Sequence, residues 1–130
     1  MSPYLLEVAA ERILVCVLLC GLIGWERERR NKVAGLRTHI LVGLGSTLIV
    51  LTSFYIFDIY KSQVATDPTR IISNIVTGIG FLCAGTIIRA GNQIIGLTTA
   101  ATLWIASSIG IAVGAGLYDI ATFVSVVGDG

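Results

Sequence analysis

Arginine and threonine side chains stand at the ends of the apolar stretches of this chain, where they could bind an anion. Arg27 closes the first stretch, Arg37 opens the second and Arg89 closes the third, while Thr98 and Thr99 fall at the start of the fourth. If the fourth stretch is a helix, either threonine can cap its N-terminus, whose amides and dipole favour negative charge. Two arginines beside a helix N-terminus, with Arg37 and Arg89 as the pair to test by substitution, suit a phosphate or an anionic lipid headgroup.

The same residues also have a simpler interpretation. Charges at the ends of membrane spans commonly anchor helices to the interface and neutralise one another, and Glu26 can pair with Arg37 or Arg89. Both interpretations stay open on the sequence. The residues that either a ligand site or a partner-binding site would use lie at one interface: Glu26, Arg27, Arg37, Thr38, Arg89, Thr98 and Thr99.

A second charged group is expected at the opposite interface. Its members share a position at the other end of the apolar stretches: Glu7, Glu11, Arg12, Asp58, Asp67 and Arg70. Acidic oxygens of this kind could hold Mg²⁺, which uses one or two carboxylates and keeps several waters. The alternative is internal pairing of Arg12 with Glu11 and of Arg70 with Asp67, which neighbouring positions favour.

The middle of the apolar stretches offers little for chemistry. Asn74 is the best polar candidate there, and a single Asn usually hydrogen-bonds another helix. No carboxylate falls at the centre of a stretch, which argues against a proton-coupled pump or a cation cage. His39 is expected at the interface as a solvated or pairing side chain. The chain has no recognisable catalytic motif, so we expect neither an enzyme nor a bound cofactor.

The composition indicates a membrane protein. Of the 130 residues 55% are hydrophobic and 13% charged, with a net charge of +1, and the mean hydropathy is +0.86. No basic tract interleaved with aromatics is present, so nucleic acid is not an expected partner. Cys16, Cys20 and Cys83 lie in apolar stretches without metal-site spacing and are expected to be small buried side chains.

The elements that position these residues are predicted to be membrane-spanning helices in a single all-α domain, 1–130. Residues 71–88 carry no charge and are closed by Arg70 and Arg89, and eighteen helical residues rise about 27 Å. The other full spans are predicted at 5–25, 38–57 and 96–117. A fifth begins at 120 and is expected to be incomplete within this sequence, without a soluble C-terminal domain, and the N-terminus is not expected to be a cleavable signal peptide.

Rows of small residues predict where the helices approach one another. They recur one helical turn apart in three spans: Cys16, Cys20 and Gly24; Ser73, Thr77, Gly80 and Ala84; Ala106, Gly110 and Gly114. Such rows let helices pack closely in lipid. A homodimer is expected, with the third row as one candidate interface.

Basic residues predict the orientation. The first loop, 26–37, is rich in Lys and Arg, so it should be cytoplasmic and the N-terminus should lie outside. The Arg89 to Gln93 turn should then be cytoplasmic as well. Asp67 followed by Pro68 is typical of a helix N-terminus.

Four sequence blocks together resemble the MgtC/SapB family of bacterial membrane proteins. They are residues 21–27 (GLIGWER), 34–38 (AGLRT), 78–85 (GIGFLCAG) and 96–104 (GLTTAATLW). Their order and spacing match the family from about Arg12 to Leu117. Cys83 stands where the family usually has glycine, and the soluble C-terminal domain of many members is absent from this sequence.

The resemblance implies a multi-pass protein of the bacterial cytoplasmic membrane with about five spans. Members of the family are linked to magnesium limitation, virulence and control of membrane ATPases. The expected function is therefore regulatory, in magnesium homeostasis or stress adaptation, through contacts with membrane ATPases or lipids. The alternative is a small transporter or channel for Mg²⁺ or another ion.

Overall fold

The protein is a helical bundle with one short β-hairpin. The computed structural model describes residues 3–60, 63 and 67–129, without the side chains of residues 3–5, 68, 89 and 90. The elements follow in chain order: α1 (Pro3–Arg29), α2 (Leu36–Tyr60), α3 (Pro68–Ala84), β1 (Ile88–Ala90), β2 (Gln93–Ile95), α4 (Leu97–Gly114) and α5 (Tyr118–Asp129). The predicted all-α class is confirmed, and the hairpin is an addition to it.

Helices α1, α2 and α4 form the tightest part of the bundle because glycines let their backbones approach. A Cβ on Gly24 of α1 would lie 2.7 Å from the Cα of Leu36, and one on Gly114 of α4 would lie 2.9 Å from the Cβ of Val50. A Cβ on Gly110 would collide with the carbonyl oxygen of Gly43. The rows in α1 and α4 therefore pack within the chain, as small residues do between membrane helices.

The burial of the α4 row corrects one expectation. Ala106, Gly110 and Gly114 are buried against α1 and α2, so they cannot form the surface between two copies of the chain. The row in α3 behaves in the opposite way. Its side chains are exposed, and a Cβ added to Gly80 would meet nothing within 4 Å. Helix α3 instead buries Ile75 and Cys83.

The interface between α2 and α4 is polar, and its hydroxyl groups are paired. The Ser46 and Ser107 hydroxyls lie 2.8 Å apart, and the Thr47 hydroxyl donates to the Gly110 carbonyl at 2.8 Å. His39, which has no exposed surface, lies 3.0 Å from the Thr102 hydroxyl through Nε2 and 2.8 Å from the Gly35 carbonyl through Nδ1. Of the two roles expected for His39, that of a solvated side chain is wrong, because Nε2 connects α2 to Thr102 of α4 and Nδ1 bonds the Gly35 carbonyl just before α2.

The outer surface of the bundle is apolar. Large side chains stand exposed on every helix whose surface is described, among them Leu18 (71%), Phe81 (85%) and Phe123 (70%). Polar groups inside and large apolar groups outside suit a lipid solvent. Within the described residues α2 and α4 are long and apolar enough to cross a bilayer, and α3 is apolar but shorter. The count of four full spans stays a prediction.

Helix α3 ends earlier than the sequence predicts. Its last residue is Ala84, whereas the predicted span runs to residue 88, and the chain turns at Gly85 into the antiparallel pair β1–β2. Ile88 pairs with Ile95, and Gly91 takes the positive φ of 64° that the two-residue turn needs. At the other end of α3, Asp67 is the N-cap and Pro68 follows in the first turn, as predicted.

Helix α5 runs back along α1 towards the end of the bundle that holds Arg27. A Cβ added to Gly128 would lie 3.9 Å from the Ile23 side chain of α1. Ala121 and Ser125 are buried on the inner face of α5. Its 12 residues rise about 18 Å, so the described part of this helix covers much of the bundle without the length of a full span.

Candidate functional site at the start of α4

Arg27 is the central side chain of the candidate site. It stands two residues before the end of α1, is 8% exposed, and reaches two other parts of the chain. Its Nη2 donates to the Val33 carbonyl at 2.7 Å and to the Thr99 hydroxyl on α4. Arg27 thus joins α1, the α1–α2 turn and the start of α4, and two of the residues predicted at this interface, Arg27 and Thr99, are in contact.

The Arg27 guanidinium has no acidic partner among the described residues. Its Nε is buried without a hydrogen-bond partner. Burial lowers the pKa of Arg27, yet a guanidinium keeps its proton in proteins, so the charge stays. A buried charge that is bonded only to neutral oxygens carries a desolvation penalty of several kcal/mol. This penalty makes the site attractive to an anion.

One of the two acids next to Arg27 in the chain, Glu26, pairs with other arginines, and the second, Glu28, is exposed. The carboxylate oxygens of Glu26 lie 2.7 Å from Arg29 and 2.6 Å from Arg30, so of the two predicted partners Arg37 is wrong, and the side chain of Arg89 lies outside the described residues. The hydrogen bond from Arg29, assisted by the charge of Arg30, lowers the pKa of Glu26, and the same bond raises that of Arg29. The guanidinium of Arg29 also lies 5.3 Å from the ring centre of Trp25. Glu26 pairs with Arg29 and Arg30 because residues three and four apart share a helix face.

A cavity of about 430 Å³ opens beside Arg27. Its lining combines one loop, the hairpin and the first turn of α4: Arg27, Lys32, Val33, Thr86, Ile88, Ile94, Ile95, Gly96, Leu97, Thr98 and Thr99. The volume is many times the ~30 Å³ share of a water molecule. The cavity therefore has room for a small ligand or for the headgroup of a larger one.

The first turn of α4 faces this cavity without a side-chain cap. Gly96 is the N-cap at φ 93° and no side chain bonds the turn, so neither Thr98 nor Thr99 has the capping role that we predicted. The first helical bond is Ala100 N–H to Gly96 O at 2.9 Å, and the amides before it are free of the helix ladder. Gly96 is required here because a Cβ would collide with the Thr86 carbonyl oxygen.

The other predicted residues of this interface either lie away from the cavity or have side chains outside the described residues. Arg37 and Thr38 are exposed on the first turn of α2 and are not among the cavity-lining residues. Arg89 falls in β1, opposite Ile94, and its side chain lies outside the described residues. Glu26 is turned to its own helix. Of the seven predicted residues, Arg27, Thr98 and Thr99 meet at one site.

Sequence reasoning missed Lys32 and the hairpin as parts of the site. Gly91-Asn92 between two isoleucine-rich segments is a recognised signal for a two-residue hairpin turn. Residues 71–88 are uncharged and largely apolar throughout, and this pattern does not distinguish one long helix from a shorter helix followed by a strand, so the hairpin was not predicted. Lys32 follows Asn31, whose φ of 56° turns the chain back after α1.

At the opposite end of the bundle, neither predicted ion pair forms. Arg12 donates from Nη1 to the Gly114 carbonyl at 2.6 Å, and Glu11 is exposed. The two side chains do not pair because adjacent residues on a helix do not face each other. The Asp67 carboxylate accepts from the Thr69 hydroxyl at 2.6 Å and amide at 3.0 Å. These bonds, helped at longer range by the charge of Arg70, lower the pKa of Asp67.

The possible outer metal site gains no support from this arrangement. Within residues 3–60, 63 and 67–129, no group of three His, Cys, Asp or Glu side chains is arranged to hold a metal ion. Arg12 instead places its positive charge at the C-terminus of α4, where the helix dipole favours it. Its Nε is also buried without a partner.

Asn74, the mid-membrane candidate, faces a groove and is exposed. The groove between α2 and α3 has a volume of about 620 Å³, and Gly45 and Gly78 on its two walls would each accept a Cβ without contact. The expected hydrogen bond from Asn74 to another helix is not seen among the described contacts. The groove reflects how loosely α3 rests on α2.

Known proteins match almost the entire chain. The model of the MgtC family matches residues 13–128. The chain is 44% identical over 118 residues to the putative magnesium transporter YhiD of Escherichia coli K12, which covers 89% of the chain and 55% of that protein. It is 45% identical over 111 residues to protein MgtC of Brucella abortus, covering 84% of the chain and 43% of that protein.

A third relative extends the match further along the chain. Protein MgtC of Salmonella typhimurium is 40% identical over 127 residues, 98% of the chain and 50% of that protein. The chain therefore spans about half the length of the curated relatives it matches. No solved structure gives a significant match. The family match includes α1 from Ile13 onwards, the Arg27 site and all of α4, and on this evidence the chain belongs to the MgtC family of membrane proteins.

Proposed function

We propose that this protein is a regulatory membrane protein that acts in magnesium homeostasis or stress adaptation, without catalysing a reaction of its own. Membership of the MgtC family supports a membrane role. The observation that carries the regulatory part is the closed interior of the bundle. Gly110 packs directly on the Gly43 carbonyl, and the Ser46 and Ser107 hydroxyls bond each other where an ion path would need free ligands.

The proposed mode of action is contact with lipids or with other membrane proteins such as ATPases. Exposed apolar faces on α1, α3 and α5 provide surface for such contacts. The proposed setting is the bacterial inner membrane, with the N-terminus outside and the Arg27 site at the cytoplasmic face. Homodimerisation is part of the proposal, and its interface is moved from the buried α4 row to the exposed row of α3, where Gly80 leaves open surface.

The second candidate is a small transporter or channel for Mg²⁺. The E. coli relative is named a putative magnesium transporter, and acidic residues at the end of the bundle opposite Arg27, such as exposed Glu11, could attract a cation. A path for the ion could also form between two copies of the chain.

A flux assay separates the two candidates. The purified chain is reconstituted in liposomes that contain a fluorescent Mg²⁺ indicator, and external Mg²⁺ is added. The regulatory proposal expects the same signal as in empty liposomes, because the hydroxyls described between α2 and α4 bond to each other or to backbone carbonyls. Saturable Mg²⁺ uptake would overturn it in favour of transport. In parallel, ATP hydrolysis by inverted membrane vesicles should differ with and without the chain.

A further inference from the structure

We propose that the cavity beside Arg27 binds a phosphate group, held by the Arg27 guanidinium and the free amides at the start of α4, and that a lipid carries it. The inference rests on the proposed function in one respect, which is that the chain lies in a membrane. It goes further by naming the ligand chemistry and the residues that would bind it.

The first support is the unbalanced charge of Arg27. The side chain is more than nine-tenths buried, its two described hydrogen bonds both use Nη2, and its Nε has no partner. Two acids flank Arg27 in the chain: Glu26 is held by Arg29 and Arg30, and Glu28 is exposed and forms no ion pair with Arg27. A phosphate oxygen beside the guanidinium would supply the charge-assisted hydrogen bond that the protein itself does not provide.

The second support is the N-terminus of α4, which faces the same cavity. The helix has 18 residues, its N-cap Gly96 contributes no side chain, and Leu97 and Thr98 line the cavity. Backbone amides at such a terminus bind phosphate oxygens, and the helix dipole favours their negative charge. Lys32 adds a second positive charge at the rim. The two independent features point at one volume.

The third support concerns the source of the phosphate. Exposed apolar side chains surround the cavity, with Val33 at 77%, Ile94 at 62% and Leu97 at 62%. Together with the isoleucines of the hairpin, they give the cavity an apolar rim, which suits acyl chains better than a free ion in water. A phosphate on a lipid would place its charged group on Arg27 and its chains along this rim.

Titration calorimetry on the purified full chain in detergent tests the proposal. The probes are short-chain phosphatidylglycerol, a diacylglycerol of equal chain length without phosphate, and inorganic phosphate. We expect phosphatidylglycerol to bind, the diacylglycerol not to bind, and inorganic phosphate to bind more weakly. Binding of inorganic phosphate at equal or higher affinity would keep the phosphate site and overturn the lipid source. Absence of binding by both phosphate probes would overturn the proposal.

The variants are Arg27→Gln, with Arg37→Gln as the matched control at an exposed arginine outside the cavity. Arg27→Gln should weaken phosphatidylglycerol binding at least tenfold, and Arg37→Gln should leave it unchanged; equal loss in both would indicate charge attraction alone and contradict the site. If Arg27→Gln does not fold, Lys32→Gln decides. As an exposed rim residue it should fold and weaken binding several-fold, and unchanged binding would overturn the proposal.

Calorimetry in detergent involves neither a Mg²⁺ gradient nor an ATPase, so its result is independent of the flux assay. Phosphate binding together with Mg²⁺ uptake would reject the regulatory function and keep the site. Absence of binding together with absence of uptake would reject the site and keep the regulatory function.

Discussion

At the scale of single residues, glycines decide how closely the helices pack, because they have no Cβ. Gly110 brings α4 onto the backbone of α2, with the Gly43 carbonyl and the Ser46 Cβ where a Cβ would stand. Gly78 on α3 has the same residue type and the same helical setting, but open space around it. The two glycines are therefore a matched pair for measuring what close approach contributes.

Gly110→Ala should destabilise the bundle by about 1–3 kcal/mol, because the new methyl group forces backbone apart at a packed contact. Gly78→Ala should be neutral or stabilise by up to ~1 kcal/mol, since alanine favours helix and meets nothing there. Titration of each detergent-solubilised variant with a denaturing detergent, followed by circular dichroism, measures both free energies of unfolding. A Gly110→Ala protein as stable as Gly78→Ala would show that the α2–α4 contact is looser than the structure has it.

At the scale of elements, paired hydroxyl groups join α2 to α4. The Ser46 and Ser107 hydroxyls lie 2.8 Å apart and both residues are buried. Removal of one hydroxyl leaves the other without its partner in an apolar surrounding, whereas removal of both leaves no unpaired group.

The losses in unfolding free energy caused by Ser46→Ala and Ser107→Ala should therefore not be additive in the double variant. We expect a coupling free energy of roughly 0.6 kcal/mol, the average for hydrogen bonds between membrane helices. A double-mutant cycle on the same unfolding assay provides the value. Strict additivity would mean that each hydroxyl finds another partner when its neighbour is lost.

Helix α3 is the element with an unused packing face. Its small residues one turn apart are exposed, while the equivalent rows of α1 and α4 are filled by neighbouring helices. In lipid such a face favours a partner helix. A second copy of α3 would pair these faces about a twofold axis.

Cysteine crosslinking in native membranes tests this dimer. Thr77→Cys, at the centre of the exposed face, should form a disulfide-linked dimer under mild oxidation. Leu18→Cys, also exposed, on α1 (71%), is the control and should stay monomeric. Since Cys16, Cys20 and Cys83 are buried and free, they give little background. Crosslinking of Leu18→Cys but not of Thr77→Cys would place the interface on another face.

At the scale of the whole molecule, the two ends of the bundle differ in character. The end that contains Arg27 has the hairpin, the uncapped start of α4 and the cavity, and the other end has Arg12 on the last turn of α4. The proposed orientation puts the Arg27 end inside the cell. Gln63 and Asn92, both exposed, lie before and after α3.

Labelling of introduced cysteines tests this orientation. In intact cells a membrane-impermeant maleimide should label Gln63→Cys, and it should label Asn92→Cys only after permeabilisation, because α3 would separate them across the bilayer. The reverse pattern would invert the proposed orientation. Labelling of both in intact cells would mean that α3 does not span.

Much of the architecture follows from the sequence because it depends on local patterns. Apolar runs bounded by charges located the first four helices of the described residues and the start of α5 to within a few residues, and Asp67-Pro68 located the start of α3. The spacing of Cys16, Cys20 and Gly24 identified a packing face, since small residues one turn apart fall on one side of a helix. The family could be identified from four blocks, each local in sequence.

The tertiary structure decided which partner each group took. The sequence suggested Arg37 or Arg89 as the partner of Glu26, and in the structure Glu26 pairs with Arg29 and Arg30 of its own helix. The sequence has similar rows of small residues in α3 and α4, and only the row in α4 is packed against a neighbouring helix. It placed Arg27 and Thr99 at one interface, but it did not indicate that the Arg27 side chain is buried there without an acid partner among the described residues, because burial depends on how the helices pack. Apolar periodicity fixes which segments are helices, whereas contacts distant in sequence exist only once the helices are packed.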